Sequence, residues 1–550
     1  MKTTNINSKD DDVGKHHLMA DKPRTDSLSE TVTDFGNATT IHGLQYIVNG
    51  GHVVFRLCWI LICVAFLTIF ILQGSEIFRD FSKNPYSTKI DIVSQSRLVF
   101  PAVTVCNANQ LRRSQIINTR FEGLIEVDGG VSGADYDYSW WFSSNFFNGY
   151  GSSSSSKRSQ PSPDAFSWYI SNEDVDFEYE SENWGSLTDE NDWRGFYSHS
   201  VADDFSDFFD VVNPTQQEIR NYGHQLQDFV IQCTFDQRQC NITHEFITWQ
   251  NRYFGNCFTF NSALAGEEAR MTGKTGALHG LHLTLFVEQP EYLGILAPQT
   301  GAKITVHDPA AMPFPEDESV DLPTGMATSI GVRQENIQRL GGKYGNCTTD
   351  GRNTNFSSSS LYQYSSAACR KQCFQLHLNS FCDCVDNPLL LANLSNTCSV
   401  LNETQQWCRQ YIADRYLDDA LTCSCPSPCS ETKYLKTISA MGWPSERYEE
   451  HLASRLPAGS TAARLFNNSA LARKNFIRVK VYYEELNYER VEQIPVYTLA
   501  SLLGSVGGLM GLYIGMSFIS VFEVMFLILR VGKIVMKKVC CPNAVHPIKT

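Results

Sequence analysis

Apolar residues are concentrated in two long stretches of this chain, and shorter apolar runs are scattered through the polar sequence between them. The first stretch runs from Val53 to Leu72 and the second from Leu499 to Val531. A helix needs about 20 apolar residues to cross the hydrocarbon core of a membrane. The pattern therefore predicts two transmembrane helices, at residues 53–73 and 496–531.

The second stretch is richer in glycine than a simple membrane anchor. Its glycines recur at spacings of three and four residues, so they share one helix face: Gly504, Gly507, Gly508, Gly511 and Gly515. Small residues let helices approach closely, and exposed carbonyls can replace the hydration shell of an ion. Glu523 lies in the same stretch, and an acid inside a membrane marks an ion or proton path by default. The alternative is a packing helix whose Glu523 pairs with a neighbour.

The charges beside the spans predict the topology. Basic residues follow the second span directly, which places both ends of the chain in the cytoplasm: Arg530, Lys533, Lys537 and Lys538. Residues 74–495 are then extracellular, and residues 532–550 form a cytoplasmic tail. Two helices cannot enclose a pore, so a conducting form must be an oligomer.

The N-terminal region is expected to have two parts. Residues 1–40 are polar with mixed charge, so we expect disorder there. Residues 41–52 form a short segment before the first span, and the dipeptide His42-Gly43 within it is typical of a turn.

Cysteine usage agrees with an extracellular domain. Fourteen of the 18 cysteines lie between the spans, and an even number in an oxidising compartment predicts seven disulfides. Zinc binding by the cluster at 369–429 is the alternative, which the lack of clean paired CxxC motifs disfavours. The same region carries glycosylation motifs at Asn241, Asn346, Asn355, Asn393, Asn402 and Asn467.

Several runs between the spans predict strands. Residues 97–107 read as a buried strand that contains Pro101, and residues 281–288, 304–307 and 476–483 predict further strands. The last of these precedes the second span.

Acidic and aromatic residues alternate between residues 173 and 210 of this chain, whose net charge is −14. Such a mixture suits a cationic, aromatic ligand through charge pairing and cation–π contact. The alternative is that the aromatic rings pack a small core while the acids face water. The candidate ligand-binding residues are Trp193, Phe196, Tyr197, Asp203, Asp204, Asp207 and Phe208.

Together, the run FPAVTVCN after the first span, the order of the fourteen cysteines and the Gly515-Met516-Ser517 step resemble the degenerin/epithelial sodium channel family. The resemblance implies an α+β membrane protein with two transmembrane helices and a large disulfide-rich extracellular domain, assembled as a trimeric channel. It implies a helical finger at about 110–260, a helical thumb at about 345–445 and palm strands elsewhere.

The same resemblance implies a disulfide pairing. Matching the cysteines in order gives Cys106–Cys257, Cys233–Cys240, Cys347–Cys429, Cys369–Cys425, Cys373–Cys423, Cys382–Cys408 and Cys384–Cys398.

The resemblance also assigns roles to residues of the membrane region. Gly515, Met516 and Ser517 would form the selectivity filter, although Met516 is bulkier than the small residue common there. His42 and Gly43 match a cytoplasmic gating pair. The pore and gate residues would be Gly504, Ser505, Gly508, Gly511 and Glu523.

Residues 253–261, YFGNCFTFN, and the run at 306–313 are similar to invertebrate FMRFamide-gated sodium channels. We therefore expect an amiloride-sensitive sodium channel in the neuronal plasma membrane, opened by an extracellular RFamide-type neuropeptide. Its partners would be two further copies of itself, the peptide, the lipid bilayer and the blocker amiloride, with no nucleic acid. No cofactor or bound metal is expected beyond permeant Na⁺ and N-linked glycans.

Three alternatives stay open. A proton-gated, mechanically gated or constitutive channel of the same family is the first, but Tyr86 stands where the proton-sensing branch carries a histidine. An ATP-gated trimeric channel lacks this cysteine order. An ectoenzyme is disfavoured because His244-Glu245 does not continue as HExxH and no G-x-S-x-G motif is present.

Overall fold

The computed structural model describes residues 28–130 and 212–540, apart from 265–267, 352–353, 355–361, 388–389, 391–395, 400–401, 455, 457–461 and 464–468. The chain divides into two compact units. Met1–Ser87 and Pro495–Thr550 form one, which we call the helical unit. Thr88–Ile494 form the other, which we call the β-rich unit.

The helices of the described residues are, in chain order, α1 (Leu28–Ala38), α2 (Leu44–Asn49), α3 (Val53–Ser82), α4 (Gly123–Gly130), α5 (Gln216–Tyr222), α6 (Leu226–Phe229), α7 (Ile242–Glu245), α8 (Pro315–Glu318), α9 (Ser366–Cys382), α10 (Glu403–Leu417), α11 (Glu446–Ala453), α12 (Ser469–Asn475), α13 (Leu499–Ile514) and α14 (Phe518–Cys540).

The strands are β1 (Tyr86–Ser94), β2 (Leu98–Val99), β3 (Ala102–Asn107), β4 (Val230–Phe235), β5 (Arg238–Gln239), β6 (Phe246–Asn251), β7 (Gly255–Phe260), β8 (Met271–Thr272), β9 (Leu281–Phe286), β10 (Gly301–His307), β11 (Val320–Pro323), β12 (Met326–Gln338), β13 (Cys347–Thr348), β14 (Ser427–Pro428), β15 (Ser430–Gly442) and β16 (Phe476–Pro495).

Helix α3 contains the first predicted span. By length and composition it is the one described helix that could cross a membrane unaided, and it continues to Ser82, beyond the predicted end at residue 73. Helices α13 and α14 meet the same criteria only as a pair, up to Met536, and they are bent by 71° at the break between them. The described residues therefore contain one candidate span, or two if the bent pair is one span.

The second predicted span is therefore not one continuous helix. Gly515 ends α13 in the left-handed conformation, with φ +68°, and its N–H donates to the carbonyl of Gly511 at 3.2 Å. Helix α14 then starts at Phe518 and runs to Cys540, beyond the predicted end at residue 531. The prediction of a helix over residues 496–531 did not include this break, because apolar periodicity does not register a single residue of positive φ.

Helix α1 corrects the expectation of disorder for residues 28–38, whereas residues 1–27, to which the same expectation applied, lie outside the described residues. It occupies Leu28–Ala38, with Thr31 and Gly36 buried. A methyl group at Gly36 would overlap the side chain of Val48, so the chain of α1 passes close to α2. Neighbouring helices therefore stabilise a segment that is too short and polar to be helical alone.

Two sheets form the centre of the β-rich unit. One has seven strands in the order β15-β12-β16-β9-β4-β5, with β1 also paired to β16, and the other has five in the order β11-β10-β3-β7-β6. Both sheets contribute fully buried side chains to one core, among them Val105, Phe258, Leu283 and Val481.

The predicted strands differ from the observed ones in their bounds. The run at 97–107 is interrupted at Pro101, which has no N–H to donate, so β2 and β3 replace one strand. Strand β16 continues to Pro495 rather than ending at residue 483.

The interval predicted as a helical finger, about 110–260, is not wholly helical. Its last part contains β4–β7, of which β4 pairs with β9 in the larger sheet and β7 pairs with β3 in the smaller one. The last part of the interval therefore belongs to the two sheets, because its strands pair with strands that are distant in the sequence. The predicted thumb interval contains the helices α9 and α10.

Seven disulfides cross-link the β-rich unit, in the same pairs that the family resemblance implies: Cys106–Cys257, Cys233–Cys240, Cys347–Cys429, Cys369–Cys425, Cys373–Cys423, Cys382–Cys408 and Cys384–Cys398. Five of them join residues between 347 and 429, around α9 and α10. Covalent links of this density restrict the unfolded chain and stabilise a region that has a small apolar core of its own.

Candidate pore and gating site

The glycine-rich helix α13 starts at a well-formed cap. The Thr498 hydroxyl accepts from the Ser501 N–H at 3.1 Å, and the Ser501 hydroxyl in turn accepts from the Thr498 N–H at 2.8 Å. Along the helix, a methyl group built on Gly504 or Gly508 would meet no atom within 4 Å. This glycine face is therefore open in the single chain, as a face that meets a pore or a neighbouring helix would be.

The break between α13 and α14 falls at Gly515-Met516-Ser517, the three residues named above as filter candidates. Ser517 precedes α14 and exchanges hydrogen bonds with Ser520. The Ser517 N–H donates to the Ser520 hydroxyl at 3.1 Å, and the Ser520 N–H donates to the Ser517 hydroxyl at 3.4 Å. This reciprocal cap starts α14 at Phe518, in a direction that differs by 71° from that of α13.

The His42-Gly43 turn lies against this break. The His42 N–H donates to the carbonyl of Ile514, the last residue of α13, at 3.1 Å. A methyl group on Gly515 would overlap the His42 ring, and one on Gly43, whose φ is +88°, would lie 2.6 Å from the Cys63 sulfur. Both glycines are therefore required, by conformation and by space, where the turn meets the helix break.

Glu523 projects from α14 and is half-buried. Its carboxylate accepts a hydrogen bond from the Thr39 hydroxyl at 3.1 Å. Sequence reasoning missed Thr39 as a site residue, because it lies 484 positions from Glu523 in a segment that we expected to be disordered. The signal that could have indicated this contact is the pair Thr39-Thr40, which lies shortly before the His42-Gly43 turn.

The remaining gate candidate, Ser505, follows Gly504 directly on α13. It is exposed in the single chain. The structure thus brings His42 and Gly43 to the filter candidates, while Gly504 and Ser505 lie about three turns away along α13.

In the β-rich unit, the histidine of the run at 306–313 is structural. His307 Nδ1 donates to the Asp308 carbonyl at 2.9 Å, and the Thr104 hydroxyl lies 2.9 Å from its Nε2. Burial lowers the pKa of His307 to about 4, so the ring stays neutral in mildly acidic solution. Burial also raises the pKa of the neighbouring Asp308.

A zinc site in the cysteine cluster is not supported in the part of the chain that the structure describes. The sulfurs of Cys373 and Cys423 lie near His377 in a metal-like group, but those two sulfurs form a disulfide with each other. A disulfide sulfur is not the thiolate that zinc binds.

The candidate ligand-binding residues lie outside the described residues: Trp193, Phe196, Tyr197, Asp203, Asp204, Asp207 and Phe208. The same holds for the glycosylation motifs at Asn355, Asn393 and Asn467. The other three motif asparagines, Asn241, Asn346 and Asn402, are exposed.

Several known channel proteins are similar to this chain in sequence. The family model described as amiloride-sensitive sodium channel matches residues 35–527. The chain is 33% identical to the degenerin-like protein unc-105 of Caenorhabditis elegans over 333 residues, 58% of this chain and 36% of that protein. It is 27% identical to the epithelial sodium channel subunit alpha of Neoceratodus forsteri over 547 residues, 93% of this chain and 82% of that protein.

A third relative, the acid-sensing ion channel 1C of Danio rerio, is 27% identical over 503 residues, 89% of this chain and 82% of that protein. The chain spans about a third of the length of unc-105 and about four-fifths of the other two. Because the family model covers most of the chain, this protein belongs to the amiloride-sensitive sodium channel family, which includes the degenerins. It is an α+β membrane protein of an ion-channel family, not of an enzyme family.

Proposed function

We propose that this chain forms a homotrimeric, amiloride-sensitive sodium channel of the plasma membrane that an extracellular RFamide-type neuropeptide opens. In this proposal residues 53–73 and 496–531 span the membrane, residues 74–495 are extracellular, and both ends of the chain are cytoplasmic. N-linked glycans on the exposed Asn241, Asn346 and Asn402 fit this orientation.

The break at Gly515-Met516-Ser517 is the observation that supports ion conduction best. Helix α13 ends there. In its last turn the Gly511 carbonyl accepts from the Gly515 N–H and the Ile514 carbonyl accepts from the His42 N–H, which leaves the carbonyls of Leu512 and Tyr513 without a helical donor and available to a cation. Carbonyl rings that replace water around an ion are a general solution for selective conduction. Three copies arranged around an axis would supply three sets of these groups.

An oligomer follows from the number of helices. One or two spans cannot surround an aqueous path, and the open glycine face of α13 offers a surface for a neighbouring copy. In the proposed trimer, Gly504, Ser505, Gly508 and Gly511 would face the pore.

Peptide gating is supported by the acidic and aromatic composition of residues 173–210 and by the likeness of residues 253–261 to FMRFamide-gated channels. The peptide would bind the open state more tightly than the closed state, and that difference in affinity would bias the gate. Strand β16 ends at Pro495 and α13 begins at Leu499, so a short connection would transmit the change.

Proton gating is the second candidate, because one relative is named as an acid-sensing ion channel. One observation counts against it here. Tyr86 stands at the position where that branch carries a histidine, the side chain that titrates near neutral pH.

Voltage clamp of cells that express this chain alone distinguishes the candidates. We expect an inward current on application of FMRFamide at constant pH, blocked by amiloride, and no current on mild acidification. Current only on acidification would replace peptide gating by proton gating. No current under either condition, with normal surface expression, would contradict the proposal of a homomeric peptide-gated channel.

Neutralising three acids of the candidate ligand-binding site should lower the potency of the peptide. We expect Asp203→Asn, Asp204→Asn and Asp207→Asn together to raise the half-maximal FMRFamide concentration about tenfold or more, since loss of charge-assisted contacts of about 1.4 kcal/mol in total has that effect. The maximal current should be unchanged. Glu268→Gln, Glu446→Gln and Glu450→Gln together serve as the control, because they remove the same charge at exposed positions outside residues 173–210. An unshifted dose–response curve in the first variant would exclude Asp203, Asp204 and Asp207 as the site.

A further inference from the structure

We propose that Thr39 and Thr40 form a clasp on helix α14 that holds the Glu523 carboxylate in place for the permeating cation. The role of the cation rests on the sodium-channel function proposed above, whereas the contacts themselves do not. We use the name hydroxyl clasp for Thr39, Thr40 and Ser520.

Thr40 binds the start of α14. Its hydroxyl lies 2.6 Å from that of Ser520, and Ser520 is fully buried. Because Ser520 also exchanges hydrogen bonds with Ser517, Thr40 joins the reciprocal cap that starts the helix after the break. The cytoplasmic segment is thereby attached to the residues that set the direction of α14.

Thr39 binds the acid one turn further along. Its hydroxyl oxygen accepts from the Ile41 N–H at 3.4 Å and donates to Glu523 Oε2 at 3.1 Å. A threonine hydroxyl has one proton, so the backbone contact leaves that proton for the carboxylate. Ser520 and Glu523 are three residues apart and share a face of α14, which is why two consecutive threonines can reach both.

Among the residues that the structure describes, Thr39 is the side chain observed to bind the Glu523 carboxylate. Several acids of the β-rich unit are instead held by a basic side chain, such as Glu431 by Arg339 and Asp386 by Arg409. A glutamate side chain without a fixed partner samples several rotamers, and its charge moves with them. A site that binds a cation depends on holding its ligands within a fraction of an ångström.

The contact can be tested without any current. Thr40→Cys combined with Ser520→Cys replaces two oxygens 2.6 Å apart by thiols, a separation from which a disulfide can form with little movement. The background should lack the free thiols of Cys58, Cys63, Cys540 and Cys541. The membranes are oxidised and the protein is then denatured without reductant, so that a buried thiol can react. We expect the double variant to lose maleimide–polyethylene glycol labelling, and both single variants to keep it. Full labelling of the double variant at normal expression would overturn the clasp.

The positioning role needs a functional measurement. Thr39→Val removes the hydroxyl and keeps the shape, and Thr39→Ser keeps the hydroxyl. We expect Thr39→Val to lower the unitary Na⁺ conductance at least twofold and to shift the reversal potential in mixed Na⁺ and K⁺, with FMRFamide potency unchanged, and Thr39→Ser to restore both. Thr33→Val is the matched control, since the Thr33 hydroxyl binds the Ser29 carbonyl of its own helix.

A coupled measurement separates positioning from a merely structural role. On a Glu523→Gln background, Thr39→Val should add little further change, because the interaction is already weakened. Wild-type conductance and reversal potential in Thr39→Val, or fully additive effects, would overturn the proposal. If FMRFamide evokes no current from the wild type, the proposed function fails, and the cross-link alone decides whether the clasp exists.

Discussion

Gly504→Phe should leave a sodium current flowing without any ligand. A Cβ built at this position meets no atom within 4 Å beyond the adjacent backbone of its own helix, so the first atom of a side chain has room on this face of α13. In the proposed trimer the ring would separate the helices that must approach closely to close the gate. Converting a channel that is about 1% open into one that is about 99% open requires a bias of about 5.5 kcal/mol, which is the size of the steric effect that this prediction needs from the three rings together.

The measurement for Gly504→Phe is the amiloride-blocked holding current at constant pH in the absence of peptide. Leu503→Phe is the matched control, because it places the same ring at a neighbouring exposed position outside the glycine face. A Gly504→Phe channel that reaches the cell surface and stays closed would remove Gly504 from the gate.

Gly515→Ala should abolish the current while leaving the β-rich unit intact. Alanine in the left-handed conformation costs about 1–2 kcal/mol. In addition, its methyl group would overlap the His42 ring, so either the ring or the helix end must move. Because this is the point where α13 turns into α14, a shift would displace the carbonyls that we propose as ion ligands.

Whole-cell current and thermal melting of the purified protein check the Gly515→Ala prediction together. We expect Gly515→Ala to lower the melting temperature. The decrease should be smaller when Gly515→Ala is introduced into a His42→Ala background, because the overlap with the His42 ring is then absent. Gly532→Ala is the control, because a methyl group there meets no atom within 4 Å and alanine is favoured in a helix. Normal current in Gly515→Ala would move the filter elsewhere.

Sequence patterns were sufficient for features that depend on local composition. The apolar stretch after Val53 predicted helix α3, and the even number of cysteines between the spans predicted seven disulfides. Runs of apolar residues, or apolar and polar residues in alternation, located β3, β9, β10 and the first part of β16. Each of these follows from chemistry that every residue in the segment shares, so neighbours in sequence carry the signal.

The pairing of the cysteines could not be predicted from local composition. Fourteen cysteines permit a very large number of pairings, and spacing alone does not choose among them. The order of the cysteines resembled that of a known family, and the pairs in the structure agree with it. A contact such as Cys106–Cys257, across 151 residues, is set by the pairing of strands β3 and β7, on which both cysteines lie.

Taken alone, the sequence determined the class of this protein: a chain with two apolar stretches, a cysteine-rich region between them, and an acid and a row of glycines in the second stretch. Only the tertiary structure decided that the second stretch breaks at Gly515, that the segment before His42 is helical, and that Thr39 reaches Glu523. The physical reason is that composition and periodicity are properties of neighbouring residues. A helix end in the left-handed conformation, or a hydrogen bond across 484 residues, depends instead on groups that the fold brings together.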